Sequence, residues 1–238
     1  MNKENFLFGI VGLLAGLIIG FFVTNSMNRN ATTTVAQTPP VQQAGPVDPN
    51  QPMPADHPNV NNAQPGQMSP EIQQAIDKAK AEPENFEAQV KAAEFYYQIQ
   101  RLDQAIEFLG KANKLKPDDR KTLVNLGNAN FDAEKWEEAE KWYQQALQKD
   151  ANDVAVSTDL GLTYMFRASP DVDKAIEMFQ KSLALDPNHK QTLQNLAVAY
   201  TKKGDAASAT ETVGKLEKID PQNQAIQQIK TDIQKIGK

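Results

Sequence analysis

The chain has 238 residues, 40% of them hydrophobic and 23% charged, with 25 Lys and Arg against 30 Asp and Glu for a formal charge of −5. From residue 71 onward the balance is 23 basic to 27 acidic, which offers no basic surface for phosphate backbones and argues against nucleic acid as a partner. There is no cysteine, which removes disulfides, thiol nucleophiles, thiolate metal sites and a lipid-modified N-terminal Cys. The two histidines are His57 in a Pro-rich stretch and His189 after a Pro187-Asn188 turn, so no His-based triad or metal site can be drawn. No cofactor, metal or catalytic residue is expected, and the chain reads as a non-enzyme.

After a five-residue tail, 1–5, residues 6–23 are uncharged and rich in Leu, Ile, Val, Phe and Gly. Eighteen residues of helix span about 27 Å, close to the hydrocarbon thickness of a bilayer. A cleaved signal peptide would have a shorter apolar region ending at a small-x-small site, and Thr34-Val35-Ala36 is too distant, so an uncleaved single-pass anchor is expected. The short leading tail and near-neutral following segment favour an N-terminus inside and the bulk of the chain exported. That points to a bacterial inner membrane and a periplasmic array. Gly12, Gly16 and Gly20 share one helix face, the spacing that lets two membrane helices approach closely, so a homodimer through this segment is an expectation. Residues 24–70 hold nine of the 14 prolines together with many Gln and Asn, a composition that cannot offset chain entropy. They read as a disordered linker, of which 40 residues would span about 35 Å.

The next marks are periodic. Pro83, Pro117, Pro187 and Pro221 are separated by 34, 70 and 34 residues, and Ala105, Ala139, Ala175 and Ala209 by 34, 36 and 34. The third unit therefore carries a two-residue insertion, within Ala168-Ser-Pro-Asp171. Each unit has two helical patterns, as in Thr122-Leu-Val-Asn-Leu-Gly127 followed by Trp136 to Ala146. On these residues the chain resembles the tetratricopeptide-repeat (TPR) family. The expected fold is all-α: a right-handed superhelix of about four helix-turn-helix repeats, 84–117, 118–151, 152–187 and 188–221. Capping helices at 71–83 and 222–238 would close its ends, with Ile226, Ile229, Ile233 and Ile236 in register in the second. Two departures from the family pattern are Ala151 in place of a proline and Asn130 in place of an aromatic.

The resemblance implies that the first helix of each unit, helix A, lines a concave groove that binds peptide segments. The sixth position of helix A carries Lys91, Asn125, Asp159 and Asn195, and in peptide-binding members an asparagine there bonds the ligand backbone. Asn125, Asn128, Asp159 and Asn195 are thus candidate groove residues. Leu162, Met165 and Phe166 are added as a surface for an apolar peptide. The clamp that holds C-terminal carboxylates in some members is missing, since Val90, Glu94, Thr158 and Leu162 stand at its positions. Phe108, Trp142 and Met178 form a row on the second helices, expected to be buried against neighbours rather than to serve a partner, and Trp136 is expected in the core. The anchor, spacer and array together resemble TPR subunits of cell-envelope assembly, including those that capture apocytochrome in cytochrome c maturation. A scaffold for a protein or peptide partner is the expectation, with a self-assembling structural protein as the alternative.

Overall fold

The computed structural model describes residues 69–236, so the anchor 6–23, its glycines Gly12, Gly16 and Gly20, and nearly all of the linker lie outside the described residues. Among the described residues there are ten α-helices and no strand. No helix among them is long and apolar enough to cross a membrane.

The first helix, α1 (Pro70–Ala81), starts as its sequence dictates, with Pro70 in the first turn and the Ser69 hydroxyl accepting from the Ile72 amide. Four hairpins follow. The A helices are α2 (Phe86–Gln98), α4 (Arg120–Asp132), α6 (Val154–Phe166) and α8 (Lys190–Lys203). The B helices are α3 (Leu102–Leu115), α5 (Trp136–Lys149), α7 (Val172–Leu185) and α9 (Ala206–Ile219). Asn85, Asp119 and Asp153 cap the first three A helices through their side chains. The last helix, α10 (Ala225–Ile233), ends before the expected Ile236, which closes a turn on the Ile233 carbonyl instead.

Small residues set the spacing within each hairpin. A Cβ at Gly127 would fall 2.5 Å from Cδ1 of the Tyr143 ring, and one at Gly161 would fall 2.5 Å from Cε1 of Phe179. Only the bare glycine lets those rings lie flat against helix A. Ala105, Ala139, Ala175 and Ala209, the periodic alanines, are all fully buried. Each B helix then packs on the A helix that follows it, the contact pattern of a repeat array in which neighbours build the core.

The array's two ends are closed by separate apolar clusters. Ile76 and Ala79 of α1 join Ala92, Tyr96, Phe108 and Leu109 at the front. At the back, Ile226 and Ile229 of α10 cover Leu193, Ala197, Val213 and Leu216. Phe108 is buried, while Trp142 and Met178 are half-buried and Trp142 packs on the front cluster; Phe108 and Trp142 are used in packing.

The two departures from the repeat pattern have simple accommodations. Asn130 is buried, and its amide donates to the Leu126 carbonyl 2.8 Å away in its own helix, so no polar group is stranded. Ahead of Ala151, Asp150 has φ −148° and ψ 96°, the extended geometry that Asp186 shows before Pro187. The chain makes the turn without the ring.

The A-to-B turns differ. Gln100, Glu134 and Gly204 occupy equivalent positions in the first, second and fourth turns with φ of 59°, 58° and 83°, left-handed values natural only to the glycine. In the third turn the two added residues remove that requirement: Arg167 leaves α6 extended at φ −61° and ψ 161°.

Candidate peptide-binding face

Azimuth around helix A decides which side chains can face a ligand. Successive residues are about 100° apart, so the sixth position lies about 160° from the eighth, where Gly127 and Gly161 touch helix B. Asn125, Asp159 and Asn195 therefore point away from their own hairpins. Lys91, at the same register in α2, is 3.8 Å from Glu94 in an exposed ion pair. Asn125 is half-buried, whereas Asp159 and Asn195 are 8% and 6% exposed. The Nδ2 of Asn195 is enclosed and has no hydrogen-bond acceptor. A buried amide donor left unpaired costs about 1–3 kcal/mol relative to one that is bonded, so an Asn195 side chain that turned outward to meet a ligand carbonyl would recover free energy.

The other candidates are placed differently from the sequence expectation. Asn128 is one residue beyond Gly127, on the flank of α4, and its Oδ1 accepts the Tyr143 hydroxyl at 2.9 Å. Its acceptor ties the hairpin together. Leu162 and Met165 are 2% and 3% exposed, which corrects the expectation of an open apolar surface. Met165 lies only about 40° from the direction of Gly161, so it turns toward the hairpin. Ten consecutive residues of α6, Val156 to Met165, are buried. Phe166, just past them, is half-buried.

Phe166 belongs to an aromatic cluster that the sequence did not reveal. Its ring centroid is 6.0 Å from Trp136 in a stacked arrangement and 6.1 Å from Phe131 edge-on, and Phe131 and Trp136 are 5.0 Å apart. None of the three is fully buried. Trp136 is therefore at the margin of the core rather than inside it, because it starts α5, where the chain emerges from the exposed turn at Glu134 and Lys135.

Two polar networks flank this region. Between α6, α7 and α8, Thr158 Oγ1 lies 2.9 Å from Ser182 Oγ and 2.6 Å from Thr192 Oγ1, and Thr192 Oγ1 is 2.6 Å from His189 Nδ1. The hydroxyls of Thr158 and Ser182 also reach the Val154 carbonyl. At the third turn, Glu140 accepts the Tyr164 hydroxyl at 3.0 Å and pairs with Arg167 at 3.4 Å, while Arg167 also reaches Asp171 at 3.2 Å. Desolvation, more than the Glu140 carboxylate, raises the Tyr164 pKa. In the second repeat, Asp132 takes a hydrogen bond from the Tyr97 hydroxyl, and burial outweighs that bond to push its carboxyl above the usual range. No group of His, Asp and Glu that could hold a metal occurs among the described residues.

This all-helical hairpin array, with an A-helix face carrying amides, is a tetratricopeptide-type interaction fold. Residues 86–119 match the family described as tetratricopeptide repeat, and residues 128–233 match the middle TPR-like domain of cilia and flagella-associated protein 70. The chain belongs to the tetratricopeptide-repeat family. Among solved structures it is similar to MamA, with 27% identity and a TM-score of 0.59 over 63% of this chain and 86% of that one. The fold also matches a MamA fragment from Desulfovibrio magneticus RS-1 at 20% identity and a TM-score of 0.59, over 64% of this chain and 85% of that one. Curated relatives are BBSome complex member BBS4 from Bos taurus, 29% identical over 50% of this chain, and protein O-mannosyl-transferase TMTC3 from Homo sapiens, 25% identical over 44%. The matches span 22% and 11% of those two proteins, so this chain corresponds to only a small part of each.

Proposed function

We propose that the chain is a non-catalytic scaffold that holds a partner polypeptide along its A-helix face, tethered to a membrane by residues 6–23. Within that reading the array forms a right-handed superhelix with the A helices on its concave side. The observation that carries the binding claim is the enclosed, unpaired Nδ2 of Asn195, at the register of Asn125 two repeats away. A side-chain amide offers both a donor and an acceptor, which matches an extended backbone. The finer placement, in a bacterial inner membrane with the array outside the cytoplasm and serving cell-envelope assembly, rests on the sequence of the anchor and linker. A homodimer through Gly12, Gly16 and Gly20 has the same basis.

A photocrosslinking amino acid placed at Asn125, Asn195 or Trp142 in living cells tests the binding face. Polypeptide adducts should form from positions 125 and 195 and not from 142; adducts from 142 alone would sink the reading. Asn195→Ala provides the energetic counterpart. It removes a stranded donor, so the melting temperature of the unliganded protein should hold or rise while partner retention falls about tenfold, the equivalent of roughly 1.4 kcal/mol.

A further inference from the structure

Position thirteen of the A helices forms a column that the preceding reading does not use: Asp132, Phe166 and Lys202 in successive repeats. Each lies about 140° around its helix from the residue that meets helix B, on the side of the sixth-position amides. Phe166 is the half-buried ring stacked on Trp136. The Lys202 ammonium sits 5.8 Å from the centre of the Phe166 ring, within reach of a cation–π attraction.

The charges around this point are unequal. Arg167 is held by Glu140 and Asp171, Lys174 pairs with Asp171 at 3.7 Å, and Lys203 pairs with Asp173 at 2.7 Å. Lys202, among these four cations, has no carboxylate partner. The residue as a whole is exposed, yet the atoms crowded around its ammonium lower its pKa by desolvation, so the charge is short of both water and a counterion. Asp132, the acidic member of the column, is already engaged by Tyr97.

We infer that Phe166, Trp136 and Lys202 form a docking subsite for a partner segment in which a large apolar or aromatic side chain neighbours a carboxylate. The apolar side chain covers what the half-buried rings leave open, and the carboxylate completes the Lys202 ion pair in surroundings poorer in water than open surface, where such a pair is worth more. Asn195 and Lys202 are seven residues apart on α8, about 10 Å along one face of the helix. An extended peptide covers that distance in about three residues. The acidic residue therefore falls about three positions from the carbonyl that Asn195 takes up. This inference rests on the peptide-binding reading of the A-helix face and narrows it to one class of ligand.

The test is selection of displayed random eight-residue peptides on the full-length chain in detergent, carried out in parallel on a Lys202→Glu variant. The unaltered chain should enrich Asp or Glu next to Phe, Tyr, Trp or Leu, and the variant should enrich Lys or Arg in that place. For a selected acidic peptide, Lys202→Met should lower affinity about tenfold, the equivalent of roughly 1.4 kcal/mol. With Trp142→Phe leaving Trp136 as the sole indole, saturation should shift the Trp136 emission. Binding without acidic enrichment, or enrichment that survives in Lys202→Glu, overturns the subsite while leaving the A-helix reading standing. Failure to select any peptide overturns the subsite, and the crosslinks at 125 and 195 then decide the broader reading. A self-association that buries Trp136 and disappears in Lys202→Glu overturns the peptide assignment in favour of a second copy of the chain.

Discussion

The second and third repeats begin from the same hairpin contact and diverge around it. In both, a glycine of helix A lies under a ring of helix B. In the second, that ring is Tyr143, whose hydroxyl is fixed by Asn128; in the third it is Phe179, which has no such handle, and α6 beyond it is buried over ten residues. The second repeat keeps a half-buried Val124 where the third places the enclosed Thr158 and its hydroxyl partners. A repeat can thus keep its glycine-under-ring contact while extending its polar interactions from inside one hairpin across the seam to the next.

The largest test of this comparison is to add the missing methyl group. Gly127→Ala and Gly161→Ala should each lose about 3 kcal/mol in urea unfolding, since a new Cβ meets a ring that cannot retreat. Compensation should separate the two repeats. Phe179→Leu should recover most of the loss from Gly161→Ala, while Tyr143→Leu should recover less from Gly127→Ala because it also strands the Asn128 acceptor. Equal recovery would mean that the Tyr143 hydroxyl does nothing for the hairpin.

A middle-sized effect is expected at the seam. Thr158→Val keeps the shape but removes the shared hydroxyl, and should cost about 1–2 kcal/mol. The reverse exchange at the counterpart, Val124→Thr, should change stability by less than about 0.5 kcal/mol because that position is only half-buried. If the two exchanges cost the same, the seam's hydrogen bonds are incidental.

The smallest effect is a pH dependence at position thirteen, where the second repeat has Asp132 and the third Phe166. Burial raises the folded-state pKa of Asp132 above its unfolded value, so the ionised carboxylate costs stability at neutral pH and the cost fades as pH falls through the folded-state pKa. Asp132→Asn should therefore raise the melting temperature at pH 7 by roughly 2 °C, with the gap closing toward about pH 4. A constant gap across that range would assign the effect to packing.

Much of this architecture was legible in the sequence. Prolines and alanines at a spacing of 34 residues announce the repeats because each hairpin needs one sharp exit and one small contact residue, and Ser69-Pro70 marks the start of α1 because cap and ring satisfy the first turn. Side-chain azimuth at the flanks was harder to read. Asn125 and Asn128 look alike in the string, yet three residues turn one away from its hairpin and the other onto Tyr143. Leu162 and Met165 read as open because the family register carries no sign of the all-round burial of α6, and the Phe131–Trp136–Phe166 cluster draws on two repeats that no local pattern connects. The column of Asp132, Phe166 and Lys202 was visible in the alignment of repeats, but its meaning depends on which neighbouring charges are already satisfied.

The third A-to-B turn has a practical consequence. In the first two turns the backbone passes through a left-handed residue, Gln100 or Glu134, and is held to one length by that conformation. The third has already accepted two extra residues, and its Ala168, Ser169 and Pro170 are exposed while Arg167 is held from both sides by Glu140 and Asp171. The helix ends there are clasped independently of the chain that joins them. That makes the segment a natural port for grafted sequence, such as a fluorescent reporter, an epitope or a protease recognition site, inserted into the interior of the array without disturbing its periodicity.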